Sequence, residues 1–105
     1  MELSKEEFKV LVMLYVANSD GHVNPEEVRA MLERTSPKIY AEVKLKYTKM
    51  KDMEVLQCIE ENKKHYLTTD ADRQELLADL KAVVEADGKL LPVEKYMLSG
   101  IERVI

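Results

Sequence analysis

Val16-Ala17-Asn18-Ser19-Asp20-Gly21-His22-Val23-Asn24-Pro25-Glu26-Glu27 is the stretch that decides the fold, because the chain uses it twice. It returns as Val83-Val84-Glu85-Ala86-Asp87-Gly88-Lys89-Leu90-Leu91-Pro92-Val93-Glu94, with valine, Asp-Gly, an aliphatic residue, proline and glutamate at the same offsets 67 positions later. Self-similarity of this kind marks two structurally equivalent corners in one chain. Each corner has its own local logic. Asp-Gly can stop a helix, because glycine reaches the left-handed backbone region at no steric cost. Proline then suits the first turn of a new helix, and glutamate suits its positive end.

The similarity extends to the flanks. Laid over each other through the Asp-Gly pairs, Val10, Met13, Val16 and Ala17 match Leu77, Leu80, Val83 and Val84. The same helix face is therefore apolar before both corners. The expectation is an all-α, compact bundle of about six helices, forming one domain over residues 1–105. Two pseudo-symmetric helix–corner–helix units would make up its ends, with middle helices filling the space between them.

Read outward from the corners, the first helix opens at Ser4-Lys5-Glu6-Glu7, a capping box in which serine and glutamate satisfy each other's backbone N–H groups. Phe8, Leu11, Val12, Tyr15 and Val16 form its stripe, and Val10, Met13, Leu14 and Ala17 make it apolar nearly all round, as expected of a central helix. Asn24-Pro25 with Glu27 starts the second helix, whose inner edge is Val28, Met31 and Leu32, and which runs to about Thr35. Ser36-Pro37 repeats the cap-then-proline signal. Residues 38–50 fit two periods: Ala41, Val43, Leu45 and Tyr47 alternate like a strand, while Tyr40, Val43, Tyr47 and Met50 fit a helix. Helix is the better reading, since a lone strand leaves its backbone groups without partners. Asp52 is the expected cap of a fourth helix carrying Val55, Leu56, Ile59 and Tyr66 inward. After Thr68-Thr69-Asp70, a fifth helix places Leu76, Leu77, Leu80, Val83 and Val84 inside and ends at Asp87-Gly88. Pro92 opens a last helix bearing Met97, Leu98, Ile101 and Val104.

Composition narrows the function classes. Of 105 residues, 46% are apolar and 34% charged, too apolar for disorder, and three glycines with three prolines are too few for a many-stranded β fold. The formal charge of −4 argues against a general binder of nucleic acid or anionic membrane. The longest apolar run, Val10 to Ala17, has eight residues where a membrane span needs about 20, so no membrane insertion is expected. The acidic amino terminus lacks a signal-peptide core, and a lone Cys58 cannot build an internal disulfide. A soluble protein of a reducing cytoplasm is the expectation.

The corner carboxylates are the candidate site. Aligned to a calcium-binding EF-hand loop, Asn18 or Glu85 takes the third position, Asp20 or Asp87 the fifth, and Glu27 or Glu94 the twelfth. The first position, Val16 or Val83, cannot ligate, so neither corner alone makes such a loop. Pooled, Asp20, Glu27, Asp87 and Glu94 could supply four carboxylates to one divalent cation. Local capping accounts for the same four residues without a ligand, the aspartates bonding turn N–H groups and the glutamates the following helix. His22 and His65 are too few for an evident zinc site, and Cys58 has no visible activating base. No serine–histidine or cysteine–histidine pattern or phosphate loop points to an enzyme. Residues 38–51 carry five lysines against Glu42, a local charge of +4 that leaves −8 for the rest. This reads as a solvated face whose lysine stems cover Tyr40 and Tyr47, and an acidic corner face with a basic middle allows weak self-association.

An alanine at a helix end, Asp-Gly, an aliphatic residue and a glutamate opening the next helix, used twice in an all-helical chain, resemble the TerB-like (tellurite-resistance) family. Leu76 to Glu94 carries the pattern more fully; the first copy departs from it with Asn18-Ser19 before Asp20. The resemblance implies a bacterial, cytoplasmic helical bundle associated with resistance to tellurite and other stresses. It further implies a non-enzymatic module that docks a protein partner near membrane-linked or metal-sensing complexes through an acidic surface. Carried over by position, its functional residues would be Asp20, Glu27, Asp87 and Glu94. A divalent-cation sensor or buffer using the same carboxylates is the alternative.

Overall fold

The computed structural model describes residues 2–18, 23–86, 88 and 92–104, with the side chains of Val93, Glu94, Met97 and Val104 outside that description. Within it the chain forms α1 (Lys5–Ala17), α2 (Pro25–Arg34), α3 (Pro37–Tyr47), α4 (Asp52–Tyr66), α5 (Asp70–Val84) and α6 (Pro92–Val104). There is no strand among the described residues. The expected all-α bundle is what is found. Both Asp-Gly corners, on which the two-unit expectation rests, fall outside the described residues except for Gly88.

Helix starts follow local capping. Ser4 Oγ accepts from the Glu7 N–H at 3.2 Å while Glu7 Oε1 accepts from the Ser4 N–H at 2.8 Å. Asn24 and Glu27 exchange the same pair of bonds ahead of Pro25. Ser36 Oγ accepts from the Ile39 N–H, and Thr69 Oγ1 from the Asp72 N–H. One start differs from expectation. Lys51, not Asp52, is the cap of α4: its backbone is extended, and its N–H is taken by Glu54 Oε1 at 3.0 Å. The side chain three residues into the helix does the capping, which frees the cap position from needing an acceptor of its own.

The ambiguous segment is helical. Tyr40 and Val43 are buried, with Ile39, Tyr47 and Met50 packed against the core, a spacing of three and four. Leu45, which a strand would have turned inward beside Val43, is 62% exposed. α5 ends at Val84, ahead of the expected Asp87-Gly88. Glu85 caps it, the Ala86 N–H donates to Val83 O, and the Gly88 N–H donates to Glu85 O at 2.9 Å.

α1 is the central helix, as its all-round apolar sequence requires. It packs against each of the other five, with α2 also lying on α5 and α3, and α6 on α5. Phe8, Val10, Leu11, Val12, Met13 and Val16 are fully withdrawn from water. Val55 and Ile59 of α4, Leu76, Leu80, Val83 and Val84 of α5, and Leu98 and Ile101 of α6 close around them. The radius of gyration is 12.5 Å, against about 13 Å for a compact chain of this length.

Polar links hold the shell to this centre. Lys9 Nζ on α1 lies 2.8 Å from Glu75 and 3.7 Å from Asp79 on α5. Asp79 is also 3.4 Å from Arg34 Nε on α2. Glu6 Oε1 accepts from both the Thr35 hydroxyl at 2.7 Å and the Ser36 N–H at 2.9 Å, tying α1 to the α2–α3 junction.

Candidate functional site

Of the four corner carboxylates, Glu27 is the one whose side chain is described; Asp20, Asp87 and the side chain of Glu94 lie outside the described residues. Glu27 sits in the first turn of α2 and is 1% exposed. Its N–H donates to Asn24 Oδ1 at 2.8 Å, and its Oε1 accepts from the Asn24 N–H at 3.1 Å. A carboxylate so far from water needs compensating donors. The reciprocal cap and the positive end of α2 supply them. One lone pair of its Oε1 is thereby engaged in holding the start of α2.

The first corner is anchored on its other side by Asn18, which caps α1 through its N–H to Leu14 O and Val16 O. Its Nδ2 donates to Tyr47 Oη at 3.1 Å, joining the corner to the end of α3. Burial pushes the Tyr47 phenol above its ordinary range, partly opposed by this hydrogen bond from Asn18. Tyr15 is raised for the same first reason, with Asp52 adding to it. At the second corner Gly88 has φ 80, in the left-handed region expected of it. Val16 and Val83, at the first position of the EF-hand comparison, are both buried, so neither corner carries a ligand there. Among the described residues, no three His, Cys, Asp or Glu side chains gather into a metal-binding group.

Other candidate groups are built into the core or left at the surface. Cys58 is buried, and burial pushes its thiol up, away from the reactive thiolate. His65 is exposed, in edge-on contact with Tyr66, and His22 lies outside the described residues. In the basic middle, Lys44 Nζ stands 5.7 Å from the centre of the Tyr40 ring, within cation–π range. α3 and α5 both pack on α1 but have little contact with each other, so the lysine-rich helix and the aspartate-rich helix are separated.

Sequence reasoning missed Asn62, a buried polar residue on α4 at 2% exposure. Its Oδ1 accepts from the Leu3 N–H at 3.0 Å, and its Nδ2 donates to Cys58 O at 2.8 Å. The Tyr66 hydroxyl donates to Leu3 O. Together they pin the segment before α1 onto α4. Asn62 lies on the face of Val55, Cys58 and Ile59 at helical spacing, and that periodicity was the available signal.

A family model described as tellurite resistance protein TerB matches residues 9–105, which includes both corners. No curated protein matches the chain. No solved structure matches it. No helix among the described residues is long and apolar enough to cross a membrane.

Proposed function

The chain belongs to the TerB family, and from that premise we propose that it is a non-enzymatic interaction module of a bacterial tellurite and stress response. It acts as one domain over residues 1–105 in the cytoplasm, docking a protein partner through the surface that carries its two Asp-Gly corners. The observation that carries this reading is Glu27. A corner glutamate buried in a reciprocal cap fixes the start of α2. It therefore acts as a support for the corner rather than as a contact group. Asp20, Asp87 and Glu94 are then the contact carboxylates.

The test neutralises the contacts without touching the support. Asp20→Asn with Asp87→Asn should leave the unfolding temperature nearly unchanged, while proteins co-purifying with the wild-type chain from tellurite-stressed cells are lost. Retention of the same partners by the double variant would remove the corner surface from the reading.

The second reading is a divalent-cation sensor or buffer that pools Asp20, Glu27, Asp87 and Glu94. It is favoured by the burial of Glu27, since a carboxylate withdrawn from water is also a group that a bound cation would stabilise. Thermal unfolding of the metal-stripped protein with calcium, magnesium, manganese or zinc separates the two. Binding at 100 times the dissociation constant adds about 2.7 kcal/mol. A gain with one ion, abolished by Asp87→Asn, selects the sensor; no gain with any of the four selects the docking module.

A further inference from the structure

The outer face of α6 carries a charge pattern that is complementary to itself. Lys95, Tyr96, Ser99, Gly100, Glu102 and Arg103 are all exposed, whereas Leu98 and Ile101 on the opposite side are buried. Tyr96 is 78% exposed, more than any other large hydrophobic residue described. It lines an open groove of about 440 Å³ with Pro92, Lys95, Ser99, Gly100 and Arg103. A Cβ added at Gly100 would meet nothing within 4 Å among the described residues, so these leave the surface open.

Residues seven apart on a helix lie on one face, two turns from each other. Tyr96 and Arg103 form one such pair in the centre of the exposed face. Lys95 and Glu102 form another along its flank. Both pairs have Ser99 near their midpoint. We propose that this face is a weak, isologous dimer interface, in which α6 packs antiparallel against α6 of a second copy with Ser99 near the two-fold axis.

Antiparallel packing about that axis sets Lys95 of each copy opposite Glu102 of the other, and Tyr96 of each under Arg103 of the other. The first contact is an ion pair and the second a cation–π contact, and the symmetry makes each of them twice. Ser99 and Gly100, having little or no side chain, let the two helices approach closely. A parallel two-fold arrangement would leave Lys95 and Glu102 of the two copies about two turns apart along the helices, so this ion pair would not form. A single helix of 13 residues spans only about 20 Å. Its contact area is therefore below that of stable complexes, and the dimer forms only at high protein concentration.

The experiment is sedimentation velocity of the full chain across a concentration series up to about 1 mM, with circular dichroism as the control for folding. The wild-type chain should move from monomer toward dimer as concentration rises, and return to monomer in 1 M salt, where exposed ion pairs are screened. Lys95→Glu should weaken association roughly tenfold, because two attractions become two repulsions. Glu102→Lys should do the same. The double variant Lys95→Glu/Glu102→Lys restores the pairing with its signs reversed and should recover dimerisation. Tyr96→Ala should weaken it without changing the helical signal. A wild-type chain that stays monomeric at about 1 mM overturns the proposal. A double variant no better than the single ones overturns it equally, since it would mean the two residues do not face each other.

Discussion

Gly88 sits at φ 80, and no described residue stands within 4 Å of where a side chain would project, so an alanine there meets backbone strain and no clash with the described residues. Gly88→Ala should cost about 1 kcal/mol in urea unfolding, with an unchanged denaturant slope. A neutral or stabilising result would mean that the turn after α5 does not need the left-handed conformation. Gly21, expected to behave alike, lies outside the described residues. Glu6 offers a different test. The Ser36 N–H, and next the Thr35 hydroxyl, hold its carboxyl below the ordinary value of 4.5. Its contribution to stability is therefore complete above about pH 4.5 and is lost as the pH falls through the lower folded value. Glu6→Gln should flatten the acid limb of stability against pH while changing its slope little above pH 6; an unaltered acid limb would dismiss the bond. Asp72, held down by the Thr69 hydroxyl, and Glu75, held down by Lys9, act in the same sense. The Cys58 thiol, raised by burial, should react with an aromatic disulfide at pH 8 only after unfolding. Stoichiometric reaction within the mixing time of native protein would contradict its burial.

Among the elements, α4 depends most on a polar residue. Asn62 accepts from the Leu3 N–H and donates to Cys58 O from inside the core, and its loss removes the acceptor of the buried Leu3 N–H and leaves a cavity. Asn62→Ala should cost about 2 kcal/mol and lower the unfolding temperature by several degrees. The segment before α1 should then be cut by protease faster than in the wild-type chain. If the variant were as stable and as resistant as the parent, the tether would be incidental. The link between α5 and its neighbours is weaker, since Lys9, Arg34 and Asp79 are all partly exposed. Such pairs contribute little individually, and the apolar face of α5 carries most of its attachment.

For the whole molecule, the position of α1 sets the order of local stability. A helix touching all five others can expose its amides only when the bundle opens as a whole. Hydrogen exchange should therefore be slowest in α1, with protection equal to the global unfolding free energy. It should be faster in α6, which among the described residues packs substantially only against α1 and α5. Equal protection in the two helices would contradict the central role of α1. The same arrangement bears on function. Cys58, Glu27 and Asn62 are engaged inside, while the large apolar side chains of Leu45, Met53 and Tyr96 face solvent and are available to a partner.

Several features of this protein were determined by the sequence alone because the forces behind them are local. Ser4 with Glu7, Asn24 with Glu27, and Ser36 with Pro37 define helix starts within three residues, and those starts are found where the pattern put them. The all-round apolar character of residues 8–17 likewise marked the central helix before any neighbour was known. At the candidate site the capping role of Glu27 was legible for the same reason. Its near-complete burial was not, because that depends on what stands over the start of α2. Burial elsewhere was also decided in three dimensions. Leu45 and Leu76 are the same residue type on helices, yet the first is 62% exposed and the second wholly buried. Asn62 finds its partner in Leu3, 59 positions away. Helix formation is settled by bonds spanning four residues, whereas burial is settled by the packing of segments that meet only once the chain has folded.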